Sequence, residues 1–324
     1  MPQRLNAICT GLSKVTISIP GAPKLRFGRQ SRALFLQYLA LFSLISSCLL
    51  ALALAWPALA DPLPNPPSQR CRGGWESAVI TPTHPYTQES RSTGYLKGLY
   101  ITYYGMGSET HRARAQELLE NTELNAIVMD VKGDFGVLPY TSTVQTALDI
   151  GAGNVPMIQD WAAWMDWFKA RHIYTIARIV VFKDDMLSSA KPEWAVLDSV
   201  TGGVWHDGEG LGWVDPSREE VWDYNIALAV EAAQLGFDEI QFDYVRFPTD
   251  GKISRATFAV ENTEDNRVAA ISGFLARADE ALSPYPVKLA ADVFGYTTWR
   301  EDDMGIGQKI EKLAPYLDVL SPML

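Results

Sequence analysis

The chain has 324 residues, 47% of them hydrophobic, and a formal net charge of −10. That length supports one large core, and the composition excludes disordered and collagen-like chains. Six of the 28 Lys and Arg, and none of the 38 Asp and Glu, fall in residues 1–60. The remainder holds 22 basic against 38 acidic residues, a net −16. Such a surface excludes nucleic acid as an expected partner and suits neutral or cationic polymers.

Arg4, Lys14, Lys24, Arg26, Arg29 and Arg32 precede an apolar run, Ala33 to Ala60, ending in "ALA". This reads as a secretory signal peptide cleaved after Ala60. The alternative is an uncleaved membrane anchor, because the run is long enough to cross a bilayer. Either way the rest is expected to be exported to the periplasm, the cell envelope or the medium. It then keeps only Cys71, so no internal disulfide and no cysteine zinc site can form. Residues 61–93 are Pro-rich and polar and read as a linker.

From Gly94 onward, strands and helices alternate. The first strand is Leu96–Gly105, followed by a helix over Ser108–Glu123. The second strand is Leu124–Asp134, followed by an aromatic-rich helix over Val155–His172. The stripe Trp161, Trp164, Trp167 and Phe168 in that helix has the spacing of core packing. The third strand is Ile173–Asp185. A helix over Ser217–Gly236 then carries a capping box, Ser217 and Glu220, and a terminal Gly236. The fourth strand lies in "GFDEIQFDYVRFP", the fifth is Val287–Tyr296 after a helix over Asn266–Leu282, and the sixth is Leu317–Leu324 after a short helix. Near-continuous apolar strands alternating with helices mark an α/β fold with a parallel sheet. "YYGMGSET" lacks dinucleotide-loop spacing, and charges recur at strand ends, so a (β/α)8 TIM barrel is favoured over a doubly wound sheet. The expected barrel, residues 94–324, is truncated after about six strands.

The strand charges are Asp130 with Lys132 and Asp134 on the second strand, and Arg178 with Lys183, Asp184 and Asp185 on the third. Asp243 and Arg246 lie on the fourth and Asp292 on the fifth. C-terminal strand ends converge at one mouth of a barrel. Glycoside hydrolysis needs one ionised and one protonated carboxyl there, with an arginine to hold the first charged. Asp243 beside Arg246 alone reads equally well as a plain salt bridge.

Trp205 and Trp213, in the loop Thr201–Pro216, fit sugar stacking and loop packing alike. His206, Asp207 and Glu209 in the same loop read as solvated surface rather than metal ligands. No P-loop, Gly-x-Ser-x-Gly elbow or HExxH is present. No metal or cofactor is expected.

At "KGLYITYYG", "AIVMDVKGDFG", "ARIVVFKDD", "WVDPSREEVWDYNIALAVEAAQLGFDEIQFDYVRFP", "ADVFGY" and "LDVLSPML" the chain resembles the bacterial putative glycosyl hydrolase domain family. The resemblance implies a TIM barrel related to the α-amylase-like glycosidases, with Asp243 as nucleophile. Asp292 falls where those relatives place the general acid, usually a Glu. The expected set is thus Asp243 and Asp292 for catalysis, with Asp130, Arg178, Arg246, Tyr244, Asp185 and Trp213 around the sugar. The expected activity is hydrolysis of a cell-envelope or extracellular polysaccharide. A non-catalytic carbohydrate-binding barrel is the alternative, and a metal-dependent deacetylase a weaker one that lacks a histidine pair.

Overall fold

The computed structural model describes residues 95–323 except Gln159, all within one unit, Ile80–Leu324. The expected signal segment, the linker and the boundary at 94 lie outside the described residues. The strands are β1 (Gly98–Ile101), β2 (Ala126–Lys132), β3 (Tyr174–Val180), β4 (Leu197–Asp198), β5 (Glu239–Asp243), β6 (Ala256–Thr257), β7 (Lys288–Phe294) and β8 (Val319–Met323). Six of them form one sheet in the order β1-β2-β3-β5-β7-β8, every neighbouring pair parallel. The sheet curls into half of a TIM-type barrel, α/β as the alternation implies. β4 and β6 make a separate antiparallel ribbon that the periodicity did not reveal.

Register explains the two faces. Ala177 pairs with Ile240 and Ile240 with Leu289, while Ile179 pairs with Phe242 and Phe242 with Ala291. These side chains form the outer, buried face against helices α6 (Glu219–Leu235) and α7 (Glu264–Leu282). Phe274 of α7 meets the rings of Phe182 and Phe242 at 5.5 and 4.9 Å. Strand side chains alternate, so the partners between them, Asp130, Arg178, Asp243 and Asp292, share the inner face.

The remaining helices are α1 (Tyr103–Gly107), α2 (Glu109–Asn121), α3 (Gln145–Ile150), α4 (Trp161–Lys169), α5 (Asp185–Ala190) and α8 (Ile310–Leu313). Most of the expected elements are shorter than their periodicity. The first strand stops at Ile101, because Thr102 caps α1 by accepting from the Gly105 N–H. The aromatic helix runs only from Trp161 to Lys169, starting where Asp160 accepts from Ala163 N. Its stripe packs as expected: Trp161 and Phe168 are buried and Trp164 and Trp167 lie against the core. The capping box does not form. Ser217 Oγ donates to Asp215 Oδ1 at 2.7 Å, and Arg218 takes the cap position without a side-chain bond. Gly236 does end α6 in the left-handed region, at φ 93°.

A register shift between Asp130 and Lys132 turns Lys132 out of the sheet's alternation. Its ammonium is fully buried, 2.7 Å from the equally buried Asp184 and 5.2 Å from the Tyr224 ring. Removing one partner strands a buried charge. Lys132→Met is therefore expected to cost about 3–5 kcal/mol, and adding Asp184→Asn should recover part of it. Denaturant midpoints of the single and double variants check this.

Candidate active site

The inner face ends in a chain of charges across four strands. Arg178, from β3, reaches both ways. Its Nη1 donates to Asp130 Oδ1 at 2.7 Å, and its Nε and Nη2 donate to Asp243 Oδ2 at 3.0 and 2.5 Å. Burial alone would lower the Arg178 pKa, but Asp243 and then Asp130 outweigh it and raise it above its ordinary value. Burial holds Asp130 above the usual carboxylate range, against the opposing pull of Arg178. Tyr100, on β1, adds a hydroxyl bond to Asp130 at 2.9 Å.

Asp243 closes β5. The next residue, Tyr244, has φ 49°, in the left-handed region that non-glycine residues rarely enter. This turn brings the Tyr244 N–H to Asp243 Oδ1 at 2.6 Å. Both carboxylate oxygens of Asp243 thereby have fixed partners.

Asp292 stands on the adjacent strand. Phe242 and Ala291 are register partners, so Asp243 and Asp292 each follow one member of that pair. Both are 8% exposed. Burial, and then the charge of Asp243, push the Asp292 carboxyl up to about 7, while Ser321 of β8 hydrogen-bonds it and pulls the other way. Buried Gln308 ties the two strand ends together. Its Nε2 donates to the carbonyl oxygens of Asp292 and Val245 at 3.2 and 3.3 Å, and its Oε1 accepts from Phe294 N at 3.0 Å.

Arg246 does not pair with Asp243; Arg178 takes that place. Arg246 lies over Phe294, Tyr244 and Trp213, with its guanidinium carbon 4.8, 5.1 and 5.2 Å from the ring centroids. Trp205 and Trp213 are 1% and 0% exposed, so neither offers a face to a sugar. Both indole N–H groups are already bonded: Trp213 Nε1 donates to Asp207 inside the loop, and Trp205 Nε1 to the Lys252 carbonyl oxygen outside it. Asp185 begins α5 and accepts from Gly212 N at 2.8 Å, pinning the same loop. Asp207 is occupied by Lys183, Trp213 and the backbone N–H groups of Glu209 and Leu211. Among the described residues no cluster of His, Cys, Asp and Glu is arranged to hold a metal ion.

A family model described as "Putative glycosyl hydrolase domain" matches residues 98–324. The chain belongs to this family. A hypothetical protein from Ruminiclostridium thermocellum ATCC 27405 is 39% identical over 60% of this chain and 97% of that one, with a TM-score of 0.54. The α-galactosidase TtGalA from Thermus thermophilus, in complex with p-nitrophenyl α-D-galactopyranoside, is 16% identical over 61% of this chain and 39% of that one, TM-score 0.40. α-L-Fucosidase isoenzyme 2 from Paenibacillus thiaminolyticus is 14% identical over 62% of this chain and 33% of that one, TM-score 0.44. These two likenesses are remote and say nothing of this chain's substrate. No curated protein matches the chain.

The glycosyl hydrolase family match thus spans every strand of the sheet and the whole charge chain. Several residues at this end of the sheet escaped the sequence reading. Tyr100 and Ser321 touch the carboxylates, and Gln241 Nε2 donates to Ser321 Oγ at 3.4 Å. Besides Tyr100, the exposed aromatics here include Tyr296 and Trp299, at 67% and 83%, just beyond β7. With Gly295, Thr298 and Met323 they line a pocket of 250 Å³.

Proposed function

We propose that this chain is an exported glycoside hydrolase acting on a cell-envelope or extracellular polysaccharide. The observation that carries the reading is the unequal pair on neighbouring strands. Asp243 is ion-paired to Arg178, and Asp292 is pushed up to about 7. In this mechanism Asp292 protonates the glycosidic oxygen while Asp243 attacks the anomeric carbon. Water then cleaves the glycosyl ester, with Asp292 now the base. Family membership supports the reaction class. The basic segment followed by Ala33–Ala60 supports export.

Adjacent parallel strands lie about 4.8 Å apart. That spacing suits a retaining pair, at about 5–5.5 Å, better than an inverting pair separated by a water, at about 6.5–9.5 Å. The first-formed sugar is therefore expected to keep the anomeric configuration of the substrate, read by proton NMR during hydrolysis. Inversion would remove Asp243 as nucleophile. Trp299→Ala is expected to raise KM roughly 2- to 12-fold with kcat little changed, the worth of one stacked aromatic.

The decisive experiment is a polysaccharide digestion screen, scored by released reducing ends, with Asp243→Asn alongside. Release by the wild type and none by the variant supports the assignment. Equal release by both sinks it, and binding without turnover in either makes the chain a carbohydrate-binding barrel instead.

A further inference from the structure

Among the described residues, the cations around the carboxylates are committed, except one. Arg178 is held by Asp130 and Asp243, Lys183 by Asp207 and Glu209, and Lys132 by Asp184. Arg246 makes no ion pair among the described residues. Its protein hydrogen bond runs from Nη1 to the Phe247 carbonyl oxygen at 3.1 Å. A guanidinium presents five N–H donors in one plane, so most of its donors have no acceptor among the described residues. The side chain is half-buried, and its unbonded nitrogens are not sealed from solvent.

The rings of Trp213, Tyr244 and Phe294 surround this cation at 4.8 to 5.2 Å. Aromatic faces attract a cation but replace only part of its lost hydration. The acids whose charge reaches Arg246 are Asp250, Asp243 and Asp207. Asp243 is bonded to Arg178 and Asp207 to Lys183 and Trp213, while Asp250 is exposed. Arg246 thus stands three residues past Asp243 as a caged, half-dehydrated fork. A planar two-oxygen anion matches such a fork best.

We propose that Arg246 receives the carboxylate of an acidic sugar bound beside Asp243 and Asp292. The substrate class is then a polysaccharide carrying uronic acid units. The proposal rests on the glycosidase reading above. The −16 charge of residues 61–324 disfavours a densely charged polyanion. The acidic units are therefore isolated in an otherwise neutral chain.

The test is direct titration of the protein with glucuronic and galacturonic acids, glucose, galactose and galactose 6-sulfate, followed by NMR. In parallel, neutral and uronate-bearing polysaccharides are offered for hydrolysis. Uronic acids are expected to bind at least about tenfold more tightly than their neutral counterparts, the worth of one charge-assisted pair. Arg246→Gln should erase that ratio, and Arg246→Lys should keep part of it, raising KM for uronate-bearing polymers more than it lowers kcat. Equal binding of neutral and acidic sugars by the wild type overturns the proposal without any variant. So does a preference that survives in Arg246→Gln, or a preference for the sulfate. Hydrolysis of neutral polymers alone, unchanged in Arg246→Gln, removes the carboxylate receptor and leaves the glycosidase standing. Arg246-dependent uronate binding with no polymer cleaved keeps the receptor and removes the glycosidase.

Discussion

Replacing Arg178 by methionine is expected to abolish turnover and to cost about 3–5 kcal/mol of stability. Arg178 is the shared counter-charge of Asp130 and Asp243, and the acid side chains are only 3% and 11% exposed. Without it two poorly hydrated carboxyls face each other across one strand with no counter-charge between them. Asp243 also loses the two donors that hold its Oδ2 in place for attack. Arg178→Lys is expected to fold better than the methionine variant yet stay nearly inactive, because one ammonium cannot span both acids as the planar fork does. Adding Asp130→Asn to Arg178→Met should recover stability but not activity, which separates the structural loss from the chemical one. Denaturant midpoints and polysaccharide cleavage measure the two. A methionine variant that unfolds at the wild-type denaturant concentration would show that Arg178 is not the counter-charge of the site.

The strand–helix alternation was legible because each strand is apolar on its helix-covered face and is followed by a helix-spaced stretch. Ile127, Met129, Ala177, Ile179, Ile240 and Phe242 need no tertiary knowledge to be read as strand core. Element ends were less legible, because they depend on local competition. Ser217 has the right neighbour for a capping box, but Asp215, two residues earlier, captures its hydroxyl and also accepts from Ala259 N, 44 residues away. Long-range partners of that kind leave no trace in spacing.

The same physics divides the candidate site. Asp243 and Asp292 could be picked out because a carboxylate inside an apolar strand is costly wherever that strand lies. The choice of arginine could not. Arg246 is near Asp243 in sequence, but the left-handed turn at Tyr244 carries it past the strand end and into the aromatic cage. Arg178 is distant in sequence and near through register, since Val180 pairs with Asp243 and Arg178 sits one alternation below on the same face. Trp213 looked like a sugar platform because tryptophan in a Gly-rich loop often is exposed, and the Asp207 carboxylate that holds its indole inside lies on the same loop. Tyr100 was hidden for the opposite reason: within "GLYIT" it reads as one more apolar strand residue.

Asp292→Asn is expected to remove activity on polysaccharides while making the protein more stable at alkaline pH. The folded state holds the Asp292 proton up to about 7, against an ordinary value of 3.8. Between those values the folded chain binds more protons than the unfolded one, so stability falls as pH rises from about 4 to about 7. A shift of about three units corresponds to up to about 4 kcal/mol at pH 8. Asparagine has no proton to lose and escapes this cost. The stability advantage of the variant should therefore be small at pH 4, grow through pH 7 and then level off. Denaturant midpoints of both proteins across that range test it, and a constant difference would mean that Asp292 titrates like an ordinary carboxyl. The same proton sets the rate. Wild-type kcat on polysaccharide should decline as pH rises through about 7, because a general acid works only while protonated. On nitrophenyl glycosides, whose leaving group departs without protonation, Asp292→Asn should keep most of its first-step rate and lose the pH dependence. Loss of that first step on both substrate types would make Asp292 something other than the acid.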